Sequence, residues 1–89
     1  MQERDVTIVN KLGLHARASS KFVNLAKRFA SKIEIVNSVK AVDGKSIMSI
    51  MLLAASQGTE LALRIEGEDE EEAMQAITDL IADRFGEGE

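Results

Sequence analysis

The residues with the clearest chemical potential in this chain are His15 and Arg17, which flank Ala16 shortly after Gly13. His15 is the only histidine. Imidazole is nucleophilic near neutral pH without a separate base, and a guanidinium can hold phosphate oxygens through two parallel hydrogen bonds. A helix that begins at His15 or Ala16 would add unpaired backbone N–H groups and a partial positive charge. The segment therefore predicts a histidine that carries a phosphoryl group.

A lone histidine can also be an ordinary surface or core residue. Nucleotide-binding, hydrolytic and metal sites fit the sequence less well than a phosphorylated histidine. Gly44-Lys45-Ser46 superficially resembles the end of a phosphate-binding loop, but the residue five positions before Gly44 is Val39, not the glycine of that motif. No serine is marked as a nucleophile paired with His15. One histidine without any cysteine offers no metal site. We therefore expect no cofactor, and a phosphoryl group that other macromolecules deliver and remove.

Composition predicts one small domain that spans residues 1–89. Apolar residues make up 45% of the chain, but only three residues are aromatic, all of them Phe, so the core must be mainly aliphatic. The N-terminal segment is charged, and no apolar run approaches the length of a membrane span. We expect a cytoplasmic monomer without a signal peptide or membrane insertion.

The charges of the chain are distributed unevenly. Residues 1–45 hold nine Lys and Arg against four Asp and Glu, whereas residues 46–89 hold two against eleven. The net charge of −4 and the lack of aromatic residues among the basic ones argue against nucleic-acid binding. A local basic patch suits a phosphate or an acidic protein partner. The candidate for this patch is the polar face of the first predicted helix, which consists of Arg17, Ser20, Lys21, Asn24, Lys27 and Arg28. The alternative is that these residues form an ordinary solvated helix face.

The spacing of apolar residues predicts the element order β-α-β-β-α-β-α. Strands are expected over 4–9, 32–37, 40–43 and 59–66, and helices over 15–30, 47–56 and from residue 69 onwards. Alternating strands suit an α+β open-faced sandwich, in which three helices cover one face of a four-stranded antiparallel sheet. We expect Gly58 to end the second helix, the carboxylates of residues 69–72 to fill the first turn of the third as helix-capping charge, and residues 86–89 to fray. The first helix should bury Phe22, Leu25, Ala26 and Phe29.

The second predicted helix is apolar on nearly every side. Ser46 lies at its N-cap position. We assign Ile50, Leu53 and Ala54 to the core, which leaves four residues at least partly exposed: Ile47, Met48, Met51 and Leu52. Methionine repacks easily, so such a surface suits a protein that binds several partners in turn. A fully buried helix is the alternative.

Two segments of the chain resemble a known family. Gly13-Leu14-His15-Ala16-Arg17 resembles the active-site motif of HPr, the histidine phosphocarrier of the bacterial phosphoenolpyruvate-dependent phosphotransferase system. The segment from Gly44 to Met51 is similar to the family's regulatory-serine region. The resemblance covers residues 4–85 and includes the element order.

The resemblance implies a phosphoryl carrier rather than a turnover enzyme. His15 would receive the phosphoryl group on Nδ1 from Enzyme I and pass it to an EIIA protein or domain, while Arg17 would bind the phosphate. Ser46 matches the residue that an HPr kinase/phosphorylase modifies in some bacteria. HPr proteins dock partners with the first two helices, which implies these docking residues: Ala16, Ser20, Lys21, Asn24, Lys27, Ile47, Met48, Met51 and Leu52.

One departure from the family pattern follows Arg17, where the family usually has proline and this chain has Ala18. Proline suits a first helical turn, so its absence should loosen that turn slightly. Because some members of the family vary at this position, Ala18 leaves the chemistry in place but leaves two branches open. These are the sugar-type HPr and the nitrogen-type regulatory carrier, NPr. An alternative of another class is a regulatory interaction module that acts through phosphorylated Ser46 while His15 is idle.

Overall fold

A four-stranded antiparallel sheet forms one layer of the fold, and the computed structural model describes residues 1–38 and 40–86. The strands are β1 (Gln2–Thr7), β2 (Lys32–Val36), β3 (Ala41–Asp43) and β4 (Glu60–Glu66). Their spatial order is β1-β4-β2-β3, and every neighbouring pair is antiparallel. Three α-helices and a short 3₁₀ turn complete the fold. The predicted α+β open-faced sandwich and its element order are confirmed.

The first helix, α1 (Ala16–Ala26), ends four residues before the predicted position 30. The N–H of Arg28 bonds the carbonyl of Leu25, and the N–H of Phe29 bonds that of Ala26, so the chain tightens into i→i+3 turns. The helix packs into the core along the line of Ala18, Phe22 and Ala26, all fully buried. Leu25 and Phe29, predicted to be buried, lie only half-buried at the edge of this contact.

The second helix, α2 (Ile47–Leu52), is also shorter than predicted. The N–H of Ala54 bonds the carbonyl of Met51, and Ala54 has a left-handed φ of 50°. Ala54 rather than Gly58 therefore terminates the helix, and Ala54 is exposed rather than in the core. Gly58 lies in the turn before β4, where its N–H donates to the carbonyl of Ile8 over 2.7 Å.

The third helix, α3 (Glu70–Ala82), carries Glu70, Glu71 and Glu72 in its first turn, where the helix dipole favours carboxylates. Asp69, predicted to lie in the first turn with them, is instead the N-cap residue, and its side chain makes no capping hydrogen bond. Its carboxylate instead accepts hydrogen bonds from the N–H of Ala30, the N–H of Ser31 and the Ser31 hydroxyl. Asp69 thus joins the chain after α1 to the start of α3.

The chain after α3 forms a 3₁₀ turn over Arg84–Gly86. Phe85 is fully buried, and the ammonium of Lys21 donates to its carbonyl over 2.6 Å. The predicted fraying is therefore wrong for Gly86, because Phe85 anchors the segment, and the rest of that prediction falls on residues 87–89, outside the described residues. Within residues 1–38 and 40–86, no helix is long and apolar enough to cross a membrane.

The core lies between the sheet and the helices. Alternate residues of the two central strands point into it, such as Ile33 and Ile35 of β2. The helices and the 3₁₀ turn supply Phe22, Val23, Ile50, Met74, Ile77 and Phe85, while β4 supplies Leu61, Leu63 and Ile65. The start of α1 packs against this core through Leu14 and Ala18, both of which are buried.

Candidate functional site

The turn before α1 is held firmly in place. The N–H of Gly13 bonds the carbonyl of Asn10 over 3.2 Å, and the Asn10 side-chain amide donates to the Gly13 carbonyl over 2.8 Å. Leu14 then donates its N–H to the carbonyl of Ala55 over 2.8 Å. Gly13 has a φ of +68°, and a Cβ there would lie 2.3 Å from the Ala55 oxygen. Glycine is required because the turn packs directly on the backbone that follows α2.

His15 is the N-cap residue of α1, with extended backbone angles of −76° and −179°. Its Nδ1 accepts a hydrogen bond of 3.2 Å from the N–H of Arg17. Its carbonyl accepts the first helical bond from Ser19, over 2.9 Å. Because Nδ1 is an acceptor, it carries the ring's lone pair, and the proton of the neutral imidazole lies on Nε2. A histidine thus occupies a capping position that Ser, Thr, Asp or Asn usually fills.

This geometry places a nucleophilic nitrogen beside the N-terminus of an 11-residue helix. No acidic residue lies in the first turn of α1, so its unpaired N–H groups and partial positive charge face no competing carboxylate of that turn. His15 is half-buried, while Ala16 and Arg17 are exposed. The site can therefore hold an anion bonded to Nδ1 and remain open to a partner. The described part of the chain contains no cluster of three or more His, Cys, Asp or Glu that could bind a metal.

The residues of α2 are placed as predicted. Ser46 is the N-cap residue, and its hydroxyl oxygen accepts the N–H of Ser49 over 3.3 Å. Ile50 is fully buried. The four remaining apolar side chains are exposed: Ile47 by 40%, Met48 by 70%, Met51 by 41% and Leu52 by 66%. The alternative of a fully buried helix is excluded, and α1 packs directly against this helix.

The polar residues of α1 are spread over more than one flank. Lys21, Asn24 and Arg28 line a groove of about 250 Å³ together with Leu25 and Leu80, so they lie on the side of α1 that faces α3. The Lys21 ammonium is engaged there with the 3₁₀ turn. Ser20 is half-buried and Lys27 is exposed.

Sequence reasoning missed two residues, one at the far end of α1 from His15 and one in the turn before it. The ammonium of Lys45 donates to the carbonyl of Phe29 over 2.8 Å, which ties the start of α2 to the chain after α1. No sequence pattern marks a contact of this kind. Leu12, in the turn before His15, is 69% exposed. The sequence did mark Leu12, because leucine is unusual in a tight turn.

A family model described as "PTS HPr component phosphorylation site" matches residues 2–83, which is most of the chain and includes the whole site. The chain belongs to the HPr family. It is accordingly a phosphocarrier of the phosphotransferase system, and the HPr fold accounts for the arrangement of α1 and α2 around His15.

Several members of the HPr family are similar to the chain over its whole length. The phosphocarrier protein HPr of Cupriavidus necator is 54% identical over 89 residues and is covered completely, as is this chain. The HPr of Pseudomonas aeruginosa is 52% identical over 90 residues, again with complete coverage of both chains. The crystal structure of HPr-C-His from Thermoanaerobacter tengcongensis superposes with a TM-score of 0.94 at 49% identity, covering 98% of each chain.

Proposed function

We propose that His15 is the phosphorylated residue and that it carries the phosphoryl group on Nδ1. In this proposal the group comes from Enzyme I in the cytoplasm and is passed to an EIIA protein or domain. The observation that carries the proposal is the hydrogen bond from the Arg17 N–H to Nδ1. It marks Nδ1 as the nitrogen with the lone pair, and it places that lone pair at the positive end of α1.

The transfer step needs no proton movement at Nδ1. The lone pair of Nδ1 attacks phosphorus, the bond between phosphorus and the donor breaks, and the new bond is P–Nδ1 while Nε2 keeps its proton. The Arg17 N–H must release Nδ1 during this step, and it then becomes available to a phosphoryl oxygen. A hydrogen bond to a charged oxygen is roughly twice as strong as a neutral one. The helix N-terminus therefore stabilises the phosphorylated state more than the free state.

Arg17 is proposed to bind the phosphoryl oxygens through its guanidinium. Its side chain is exposed and starts two residues after His15, at the second position of the helix. A planar guanidinium can donate two parallel hydrogen bonds to one phosphoryl group. The exposed position also lets the same side chain meet a partner as the group is handed over.

The docking surface is proposed to combine the exposed parts of the two helices. On α1 it comprises Ala16, Ser20 and Lys27, and on α2 it comprises Ile47, Met48, Met51 and Leu52. Lys21 and Asn24 belong to this set only at its margin, because both line the groove that faces α3 and the Lys21 ammonium bonds the Phe85 carbonyl. An apolar centre with basic residues beside it suits an acidic partner.

Ser46 is proposed as a regulatory phosphorylation site. Its hydroxyl caps α2, immediately before the exposed Ile47 and Met48. A phosphate there would place nearly two negative charges at the edge of an apolar docking surface. Ser46→Asp should slow phosphotransfer relative to Ser46→Ala in stopped-flow assays. Equal rates for these two variants would contradict the regulatory role.

The proposed function is tested by incubating the protein with phosphoenolpyruvate and Enzyme I. We expect the wild type to gain one acid-labile phosphate, and His15→Ala to gain none. Label on His15→Ala, or none on the wild type, would overturn the proposal. Relatives named phosphocarrier protein HPr support the sugar-type branch over NPr, and transfer rates to EIIA proteins of each type would separate the two.

A further inference from the structure

The sulfur atoms of this protein are all thioethers, since the chain has no cysteine. Its four methionines are Met1, Met48, Met51 and Met74. Met74 is buried in the core, whereas the other three side chains are exposed. Because an oxidant reaches an exposed thioether more readily than a buried one, the fold leaves three methionines open to oxidation and protects the fourth.

Two of the exposed methionines lie together on α2. Met48 and Met51 are three residues apart in this helix, so their side chains are neighbours on its surface. Ile47 and Leu52, also exposed, flank them in sequence, and Ser46 caps the helix immediately before them. The apolar part of the docking surface therefore contains two oxidisable sulfur atoms.

The third exposed methionine lies at the other end of the molecule. The N-terminal ammonium of Met1 pairs with the carboxylate of Glu70, in the first turn of α3, over 3.2 Å. The neighbouring Asp69 accepts the N–H of Ala30, beyond the C-terminal end of α1, whereas His15 lies at the N-terminal end of that helix. Oxidation of Met1 therefore leaves the docking surface unchanged, and Met1 is an internal control.

We propose that Met48 and Met51 form an oxidation-sensitive modification site, at which hydrogen peroxide reversibly weakens the docking of partners. A sulfur lone pair attacks one peroxide oxygen, the S–O bond forms as the O–O bond breaks, and the proton of the transferred hydroxyl leaves with the departing hydroxide as water. The sulfur is oxidised by two electrons and the peroxide is reduced by two. The product, methionine sulfoxide, is polar and is returned to the thioether by methionine sulfoxide reductases.

A sulfoxide on α2 would change the docking surface from apolar to polar. Its oxygen is hydrated in the free protein, and an apolar partner surface would remove that water without replacing the hydrogen bond. This inference rests on the proposed function, because only docking at α2 converts the oxidation into a slower relay. The segment from Gly13 to Arg17, which holds the reacting Nδ1, contains no methionine. Oxidation should therefore raise KM for a partner and leave kcat unchanged.

The experiment treats the wild type and the double variant Met48→Leu/Met51→Leu with the same amount of hydrogen peroxide. Peptide mass spectrometry locates the sulfoxides, and initial rates of phosphorylation by Enzyme I give KM and kcat before and after treatment. The wild type should gain sulfoxides at Met1, Met48 and Met51 but not at Met74, and its KM should rise about tenfold. The double variant should gain the sulfoxide at Met1 alone and keep the KM that it had before treatment.

Reversal and stability complete the test. Methionine sulfoxide reductases specific for each sulfoxide epimer should together restore the initial KM of the oxidised wild type. The urea midpoint should be unchanged by oxidation, because the modified side chains are exposed, and a lower midpoint would assign the KM change to unfolding and contradict the inference.

Three further results would also overturn the inference. These are an unchanged KM with both α2 sulfoxides present, an equal rise in KM for the double variant, and resistance of Met48 and Met51 to a treatment that oxidises Met1. Failure of the untreated wild type to accept phosphate is a different result, which overturns the proposed function itself.

Discussion

Replacing Gly13 with alanine should both destabilise the protein and slow phosphotransfer. An L-residue at the observed φ of +68° is strained. Alanine also reduces the entropy of the unfolded chain, which offsets part of this strain, so the free energy of unfolding should fall by about 1 kcal/mol from these two effects. The new Cβ would also lie 2.3 Å from the Ala55 oxygen and 2.8 Å from the Ser56 Cα. Both atoms belong to backbone, so relieving the overlap should cost a further 1–3 kcal/mol, roughly the cost of overpacking.

Gly58→Ala is the matched control for this substitution. Gly58 has a similar left-handed φ of +89°, but nothing lies within 4 Å of the position that its Cβ would take. Replacing Gly58 with alanine should therefore lower the free energy of unfolding only through backbone strain, by about 1 kcal/mol. The difference between the two variants isolates the contact of the His15 turn with the chain after α2.

The assay is urea denaturation followed by circular dichroism, together with initial rates of phosphorylation by Enzyme I. Gly13→Ala should be less stable than Gly58→Ala by about 1–3 kcal/mol, which corresponds to a melting temperature roughly 4–24 °C lower. It should also be phosphorylated more slowly, since the turn sets the position of His15. Equal stability and equal rates for the two variants would refute the argument that this packing positions the histidine.

Two further substitutions test the ends of the helices. Ala54→Gly should stabilise the protein by about 0.5–1 kcal/mol in urea denaturation, because Ala54 has a φ of +50° and glycine adopts this conformation without a steric cost; a loss of stability would contradict this assignment. Asp69→Asn should destabilise the protein at pH 7, where the carboxylate accepts three hydrogen bonds, foremost that from Ser31. These bonds hold the pKa of Asp69 below its ordinary value of 3.8, so the stability that they contribute is complete above that value and is lost as the pH falls through the folded-state pKa. The urea midpoints of wild type and Asp69→Asn should therefore converge on acidification, and a constant difference down to pH 2 would contradict the role of the charge.

Much of the site could be predicted because its determinants are local in sequence. The capping position of His15 depends on its neighbours from Gly13 to Arg17. The exposure of Met48 and Leu52 follows because a helix that is apolar on nearly every side can bury only one face against a small domain. Strand alternation likewise predicted an antiparallel sheet covered on one face, since such a sheet imposes a period of two on its strands.

The features that sequence reasoning missed depend on contacts between distant residues. The N–H groups of Ala30 and Ser31 bond Asp69, 39 and 38 residues away, which favours an earlier end to α1 than periodicity suggests. The bond from Lys21 to Phe85 joins residues 64 positions apart. Periodicity and residue preference carry no information about such pairs. The helix bounds and the role of Lys21 therefore required the folded structure.

The most direct measurement of the central claim is NMR of the uniformly ¹⁵N-labelled, phosphorylated protein. It reports which ring nitrogen of His15 is bonded to phosphorus, and it follows the Arg17 amide in the same sample. We predict phosphorus coupling at Nδ1 and a downfield shift of the Arg17 amide proton as its partner changes from nitrogen to a phosphoryl oxygen. Coupling at Nε2, or an unmoved Arg17 amide, would contradict the account.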